Sequence, residues 1–321
     1  MLKGRKFLLI LFLGLLSMLV LLSVSLPLDF ITRASVPFTM TRTIEQLQDP
    51  HRMMKWILPY ADQDSGSVKA FKAGRPGIRY KTDSVVLMTA KPESATLAFT
   101  RDGKEKQYDF LVTRDRRDTR RCNVTLTITT TLWKRLIDRD PIDVEVIKSM
   151  GNLSRYVNDT RLFYGYAIRE GRVKDSILIS LTTAVPVTDE YLRSGKLFDS
   201  LIRFTQLKSL RYNGNRYFHR QYLEHDSVQI TASIGVKSLF EPEPGDGLNK
   251  KFLPFGEKQL EIEYRGPYQD VTGAYKALEN YKRDHAIINS GLPLELYSSP
   301  GFGFDSSDTV SLMLCLPFTE N

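Results

Sequence analysis

The chain opens on an uncharged run, FLLILFLGLLSMLVLLSVSLPL from Phe7 to Leu28, between Lys6 and Asp29. As a helix at about 1.5 Å per residue it reaches roughly 33 Å, enough for a hydrocarbon core of roughly 30 Å. Beyond it the apolar period changes. VPFTMTRTI at 36–44 predicts a strand, and Asp49-Pro50 then joins a good N-cap to a proline at the first helical position. Met53, Met54, Ile57 and Leu58 share a helical face before Pro59. Strands follow at SVVLM (84–88), ATLAFT (95–100) and QYDFLVT (107–113), with Asp102-Gly103 as a hairpin turn. In VTLTITTTLW (124–133), Val124, Leu126, Ile128 and Leu132 alternate with threonines, so one face is buried and the other is wet or lines a cavity. Asp140-Pro141 opens a longer helix whose Val146, Met150, Leu153 and Val157 share a face.

The second half of the chain says one thing twice. DSILISLTTAVPV (175–187) predicts a strand, and Tyr191, Phe198, Leu201, Ile202 and Leu207 a helix that ends before a break at Asn213-Gly214. NRYFHRQYL and SVQITASIGV are two further strands. After EPEPGDGLNK the order returns: KQLEIEYRG as a strand, then Val271, Ala274, Tyr275, Leu278 and Tyr281 as a helical stripe. Beyond Gly291, PLELYS and DTVSLMLCLPF are the last strands. Two strand-helix-strand-strand modules, each with one apolar sheet face, are expected to pair and to leave a cleft between them.

Composition adds limits. A chain of 321 residues with 42% hydrophobic and 26% charged content is folded, which excludes disordered and collagen-like classes. About 290 residues beyond the apolar run exceed one compact core. The expected division is an anchor over 1–33 spanning about 7–28, a domain over 34–170 and a domain over 171–321 with repeats at about 172–237 and 255–318. Lys3, Arg5 and Lys6 ahead of the span place the N-terminus in the cytoplasm and the folded domains on the outer, periplasmic side of a single-pass protein. The bilayer is then one partner, and nucleic acid is not. A cleaved signal peptide is the rival reading, with an imperfect site at Ser23-Val24-Ser25. The remainder reads as bacterial, so the sequons at Asn123, Asn152 and Asn158 carry no weight. The net charge of +8 is spread along the chain, and the cluster Arg114, Arg116, Arg117, Arg120 and Arg121, broken by Asp115 and Asp118, reads as a solvated hairpin loop. Cys122 and Cys315 lack metal or redox spacing, though one bridge between them stays open.

Two stretches resemble known families. LPLDFITRASVPFTMTRTIEQLQDPHRMMKWILPYADQD and, in the later helix, SMGNLSRYVND resemble the SRPBCC (START/polyketide-cyclase-like) family. The resemblance implies a helix-grip fold, a curved antiparallel sheet on a long C-terminal helix, with a hydrophobic cavity for lipids or other apolar molecules. The rival reading is that Trp56, Phe99, Phe110 and Trp133 simply fill a core. YRGPYQDVTGAYKALENYKRDHAIINSGLPLELYSSPGFGFDSSDTVSLMLCLPF is similar to the C-terminal half of GyrI-like effector-binding domains, most specifically at Arg-Gly-Pro-Tyr and Glu-Leu-Tyr. That resemblance implies a cleft for amphipathic, often cationic or aromatic compounds, with aromatic walls and one buried glutamate. The glutamate falls on Glu295, Tyr297 is its companion, and Tyr268 lies in the Gly-Pro-Tyr turn. The domain has no tryptophan, so its walls must come from Tyr217, Tyr264, Tyr268, Tyr297, Phe302 or Phe304. No helix-turn-helix region precedes it, so a transcription-factor role does not transfer.

The expected fold class is α+β, with the helix-grip domain and the duplicated GyrI-like domain that the two resemblances imply. A carboxylate in an aromatic cleft is poorly solvated and favours a cationic or hydrogen-bond-donating ligand. His51, His219, His225 and His285 are scattered, no Gly-x-Ser-x-Gly elbow is present, and Gly301-Phe302-Gly303 lacks a third glycine. No metal, cofactor or catalytic residue is assigned. The main expectation is a non-catalytic sensor, carrier or sequestering protein for amphipathic or cationic aromatic molecules. The alternative is a hydrolase of strained or electrophilic compounds using Glu295 as general base. A blander third is an interaction scaffold with filled pockets.

Overall fold

The structure, a computed structural model of the chain, describes residues 2–63, 67–72, 74–118, 120–243, 247–297 and 309–319, with side chains from residue 12 onward apart from residue 22. It divides into two units, Met1–Asp159 and Thr160–Asn321.

In the first unit, α1 (Leu2–Ser25) stops before Pro27, and the chain then extends as β1 (Pro27–Val36). The end of the apolar run is thus a sheet strand. Among the described residues no helix is long and apolar enough to cross a membrane. The expected transmembrane anchor is corrected on this finding, together with the signal-anchor reading, the bilayer as partner and the periplasmic placement.

The strand expected over 36–44 is also replaced. α2 (Met40–Gln48) occupies most of it, with Thr43, Ile44 and Leu47 buried at helical spacing. α3 (Pro50–Trp56) starts as its Asp-Pro signal predicts, Asp49 accepting the His51 backbone N–H at 3.0 Å. Then come β2 (Lys69–Phe71), β3 (Gly77–Tyr80), β4 (Asp83–Lys91), β5 (Ser94–Arg101), β6 (Lys104–Arg114) and β7 (Cys122–Thr131). They form one antiparallel sheet in the order β1-β7-β6-β5-β4-β3-β2. Asp102 and Gly103, both at positive φ (48° and 76°), make the β5–β6 hairpin turn. The arginine-rich segment is the β6–β7 loop, organised by Asp115, which accepts the Arg117 backbone N–H at 2.7 Å. α4 (Leu132–Leu136) and α5 (Pro141–Asn158) follow, with Asp140 capping α5 through the Ile142 N–H at 2.9 Å. α5 packs on β1 and β5. Trp56, Phe99 and Phe110 are buried, Trp56 edge-on to Phe110 with centroids 6.1 Å apart, while Trp133 is 38% exposed.

The second unit begins with α6 (Thr160–Tyr164) and β8 (Ile168–Arg172). Its first repeat is β9 (Ile177–Pro186), α7 (Glu190–Leu207), β10 (Tyr212–Tyr222) and β11 (Ser227–Val236). After β12 (Asn249–Phe252), the second repeat is β13 (Lys258–Pro267), α8 (Val271–Asp284), the short β14 (Ile288–Asn289), β15 (Leu294–Tyr297) and β16 (Thr309–Thr319). The sheet runs β12-β9-β11-β10-β15-β16-β13-β8, with β14 paired to β16. Each repeat therefore contributes three neighbouring strands, and the repeats meet where β10 pairs β15. The duplication extends to detail: β9 and β13 both end in proline, Pro186 and Pro267, and each leads through a 3-10 turn, closing on Asp189 or Asp270, into its helix. α7 packs on β9 and β11, and α8 on β13 and β16. The Asn213-Gly214 break falls inside β10 instead of before it, as an irregularity between Tyr212 and Arg216 where Gly214 takes a φ of 93°. Cys122 and Cys315 are buried free thiols.

Candidate functional site

The site is built where the two repeats join. Phe218 of β10 stands opposite Glu295 of β15, and Arg216 opposite Tyr297. Strand alternation sends Phe218, Arg220, Glu295 and Tyr297 to one face of the sheet. That face is covered by the helices, and Glu295 is completely buried.

An isolated carboxylate there would cost several kcal/mol in lost hydration. Three tyrosine hydroxyls replace the water. Tyr297 donates to Oε2 at 2.6 Å, Tyr275 to Oε1 at 2.9 Å, and Tyr268 to Oε2 at 3.0 Å and Oε1 at 3.3 Å. Tyr268 comes from the 3-10 turn before α8 and Tyr275 from two helical turns later, so helix periodicity aims both at the same point. Arg220 completes the group: its guanidinium lies 4.9 Å from the centre of the Tyr268 ring, and its Nη1 lies 3.5 Å from Glu190 Oε1 at the start of α7. Tyr191, the next residue, meets Tyr268 edge-on with centroids 5.5 Å apart.

Charge follows from this packing. Burial pushes the Glu295 carboxyl above the ordinary glutamate range, while Arg220 and the hydrogen bonds from Tyr297, Tyr275 and Tyr268 pull it part of the way back. Glu190 is also raised by burial, against the pull of Arg220. Burial alone would lower Arg220, but Tyr268, Glu295 and Glu190 outweigh it and hold the guanidinium firmly charged. The tyrosine hydroxyls are pushed up by burial and by the neighbouring carboxylate, so they stay protonated and donate.

Of the residues singled out in the sequence, Glu295, Tyr297 and Tyr268 come together. Tyr264 and Tyr217 have other partners. The Tyr264 hydroxyl donates to the Pro267 carbonyl at 2.5 Å. Tyr217 points to the opposite face of the sheet and donates to Asp175 at 2.5 Å. Phe302, Phe304 and the Gly301-Phe302-Gly303 segment lie outside the described residues. Sequence reasoning passed over Tyr275, Arg220 and Glu190. The seven-residue spacing of Tyr268 and Tyr275 was a usable signal for the first. An arginine two residues after Phe218, at an inward strand position, was one for the second.

Two grooves of the first unit, about 720 Å³ and 620 Å³ in volume, are lined largely by charged and polar side chains, among them Lys104, Lys106 and Asp143 in one and Arg114 and Asp115 in the other, while Trp56 and Phe110 are packed into the core. This differs from the lipid cavity that the SRPBCC resemblance implies.

No family model matches the chain, and no curated protein matches it. Solved structures do. The C-terminal domain of EcmrR aligns at 15% identity over 49% of this chain and 99% of its own, with a TM-score of 0.39. EcmrR in a complex with DNA aligns at 12% identity over 59% of this chain and 76% of its own, with a TM-score of 0.38. A hydrolase from Listeria innocua aligns at 11% identity over 47% of this chain and 91% of its own, with a TM-score of 0.33.

Proposed function

We propose that Thr160–Asn321 is a GyrI-like small-molecule-binding module that takes amphipathic, cationic aromatic ligands at Glu295, with Tyr268, Tyr275 and Tyr297 as the aromatic surround. The observation that carries this reading is a fully buried carboxylate whose neutral partners among the described residues are tyrosine hydroxyls from a 3-10 turn, a helix and a strand. Such a carboxylate is prepared for a cation, because a positive charge in a water-poor, ring-lined site gains from both the anion and the ring faces. Tyr264 and Tyr217 serve this reading as support for the sheet. The strand, two-helix, meander and long-helix order of Met1–Asp159 supports a helix-grip unit of SRPBCC type in the same chain. A hydrolase using Glu295 as general base draws less support. The hydroxyls already engage both carboxylate oxygens, so an attacking water would first have to displace a tyrosine.

Calorimetric titration of the full chain with benzamidine, and with the neutral benzamide as control, tests the proposal. Saturable binding of the cation is expected, weakened about tenfold or more, or roughly 1.4 kcal/mol, by Glu295→Gln. Equal affinity in wild type and Glu295→Gln overturns it.

A further inference from the structure

Arg220 already has the geometry of the ligand. A planar cation lies over the Tyr268 ring, its centre 4.9 Å away, with Glu190 on one side and the charge of Glu295 on another. Two buried carboxylates thus face one guanidinium. Glu295 has its hydroxyl donors, but Glu190 Oε1 is buried without a hydrogen-bond partner, and its 3.5 Å separation from Nη1 lies at the edge of hydrogen-bonding reach. A buried carboxylate oxygen left in that state marks a place where a better-fitting donor would be stabilised. Arg220 also points the way out: its guanidinium lies 5.6 Å from the ring of Tyr222, which is 60% exposed.

We infer that Arg220 is a resident cation filling the site's cation position, and that the ligands of the module are planar amidinium or guanidinium compounds able to replace it between Tyr268, Glu295 and Glu190. The inference rests on reading Glu295 as a ligand carboxylate, and it adds Glu190 as a second. Since Glu295 is completely buried, a cation reaches it only by displacing a side chain. The side chain of like charge and shape is Arg220. Selectivity follows from the exchange: a ligand must offer a flat, delocalised cation with donors in a fork, which a simple ammonium lacks. Glu190 then distinguishes ligands that supply a well-placed N–H from those that do not.

The test uses the full chain, Arg220→Ala, and ethylguanidinium as the probe that restores the missing group. The variant is expected to melt below wild type, to recover most of that loss in millimolar ethylguanidinium, and to respond less to ethylammonium. Wild type, in which Arg220 competes for the position, should gain less. Benzamidine is expected to bind Arg220→Ala about tenfold or more tighter than wild type, and Glu190→Gln in that background is expected to remove most of the gain. Should Arg220→Ala fail to fold unaided, refolding yields with and without ethylguanidinium take the place of melting, and a yield raised by the probe supports the inference. Indifference of Arg220→Ala to ethylguanidinium, or equal benzamidine affinity with and without Arg220, overturns it. The two readings separate. Benzamidine binding in wild type that depends on Glu295 but not on Arg220 leaves the proposed function standing and removes this inference. Ethylguanidinium rescue of Arg220→Ala without any benzamidine binding in wild type leaves Arg220 as the filler of a cation position and removes the ligand reading of both.

Discussion

Single side chains divide the second sheet into two chemically different faces. On one, Glu295 collects tyrosine hydroxyls. On the other, Asp175 accepts from the Asn213 amide at 2.6 Å, the Asn215 amide at 2.8 Å and the Tyr217 hydroxyl at 2.5 Å, and Gly235 leaves the room for it. Tyr217 and Tyr297 lie one pairing apart in the ladder, yet alternation gives them different carboxylates. Glu295, Tyr297 and Tyr268 were legible because each sits in a short local pattern. Glu190 was not, because its meeting with Arg220 depends on α7 packing on β10, a contact between residues distant in sequence. Cys315 lies on the Tyr217 face. Burial pushes its thiol up to about 12, whereas an unfolded chain releases that proton near pH 8.5. Above about 8.5 the unfolded state binds fewer protons than the folded one, so stability should fall as pH rises from there toward about 12. Urea unfolding at pH 8 and pH 10 checks this, with Cys315→Ala expected to show a shallower fall than wild type.

At the scale of elements, local signals worked where a cap or turn residue acts alone. Both Asp-Pro pairs start helices, and Asp102-Gly103 makes its hairpin. Asp140→Ala removes the cap on α5 and the contact from Lys106 Nζ at 2.7 Å. It is expected to cost about 1–2 kcal/mol, mostly from the cap because the ion pair is partly solvated, read as a lowered urea midpoint. The pattern misled where composition and packing disagree. Over 36–44, β-branched residues and threonines suggested a strand, but the side that must be buried repeats at helical spacing, and the sheet takes the residues before it instead. The first strand was invisible for the same reason: Pro27 and Leu28 read as the tail of an apolar run, and only pairing with β7, Pro27 opposite Thr131, reveals their state.

At the scale of the whole chain, the duplication was visible in the order of elements, whereas which strands meet at its centre was not, because strand order in a sheet is a tertiary choice. Two sheets with separate cores allow each unit to be followed by itself. Both tryptophans, Trp56 and Trp133, belong to Met1–Asp159, so their emission reports on that unit. Phe110→Ala, which opens a hole beside Trp56, is expected to lower the stability read by tryptophan emission by about 3–5 kcal/mol; a change under about 1 kcal/mol would contradict the packing. The tandem arrangement has one more effect. Two identical polypeptides assembled about an axis would bring each central side chain twice, and a dehydrated acid would confront its own copy across the join. Linking the copies in one polypeptide lifts that constraint: Phe218 can stand across from Glu295, and an arginine can settle nearby, where symmetry would have set a second glutamate against the first.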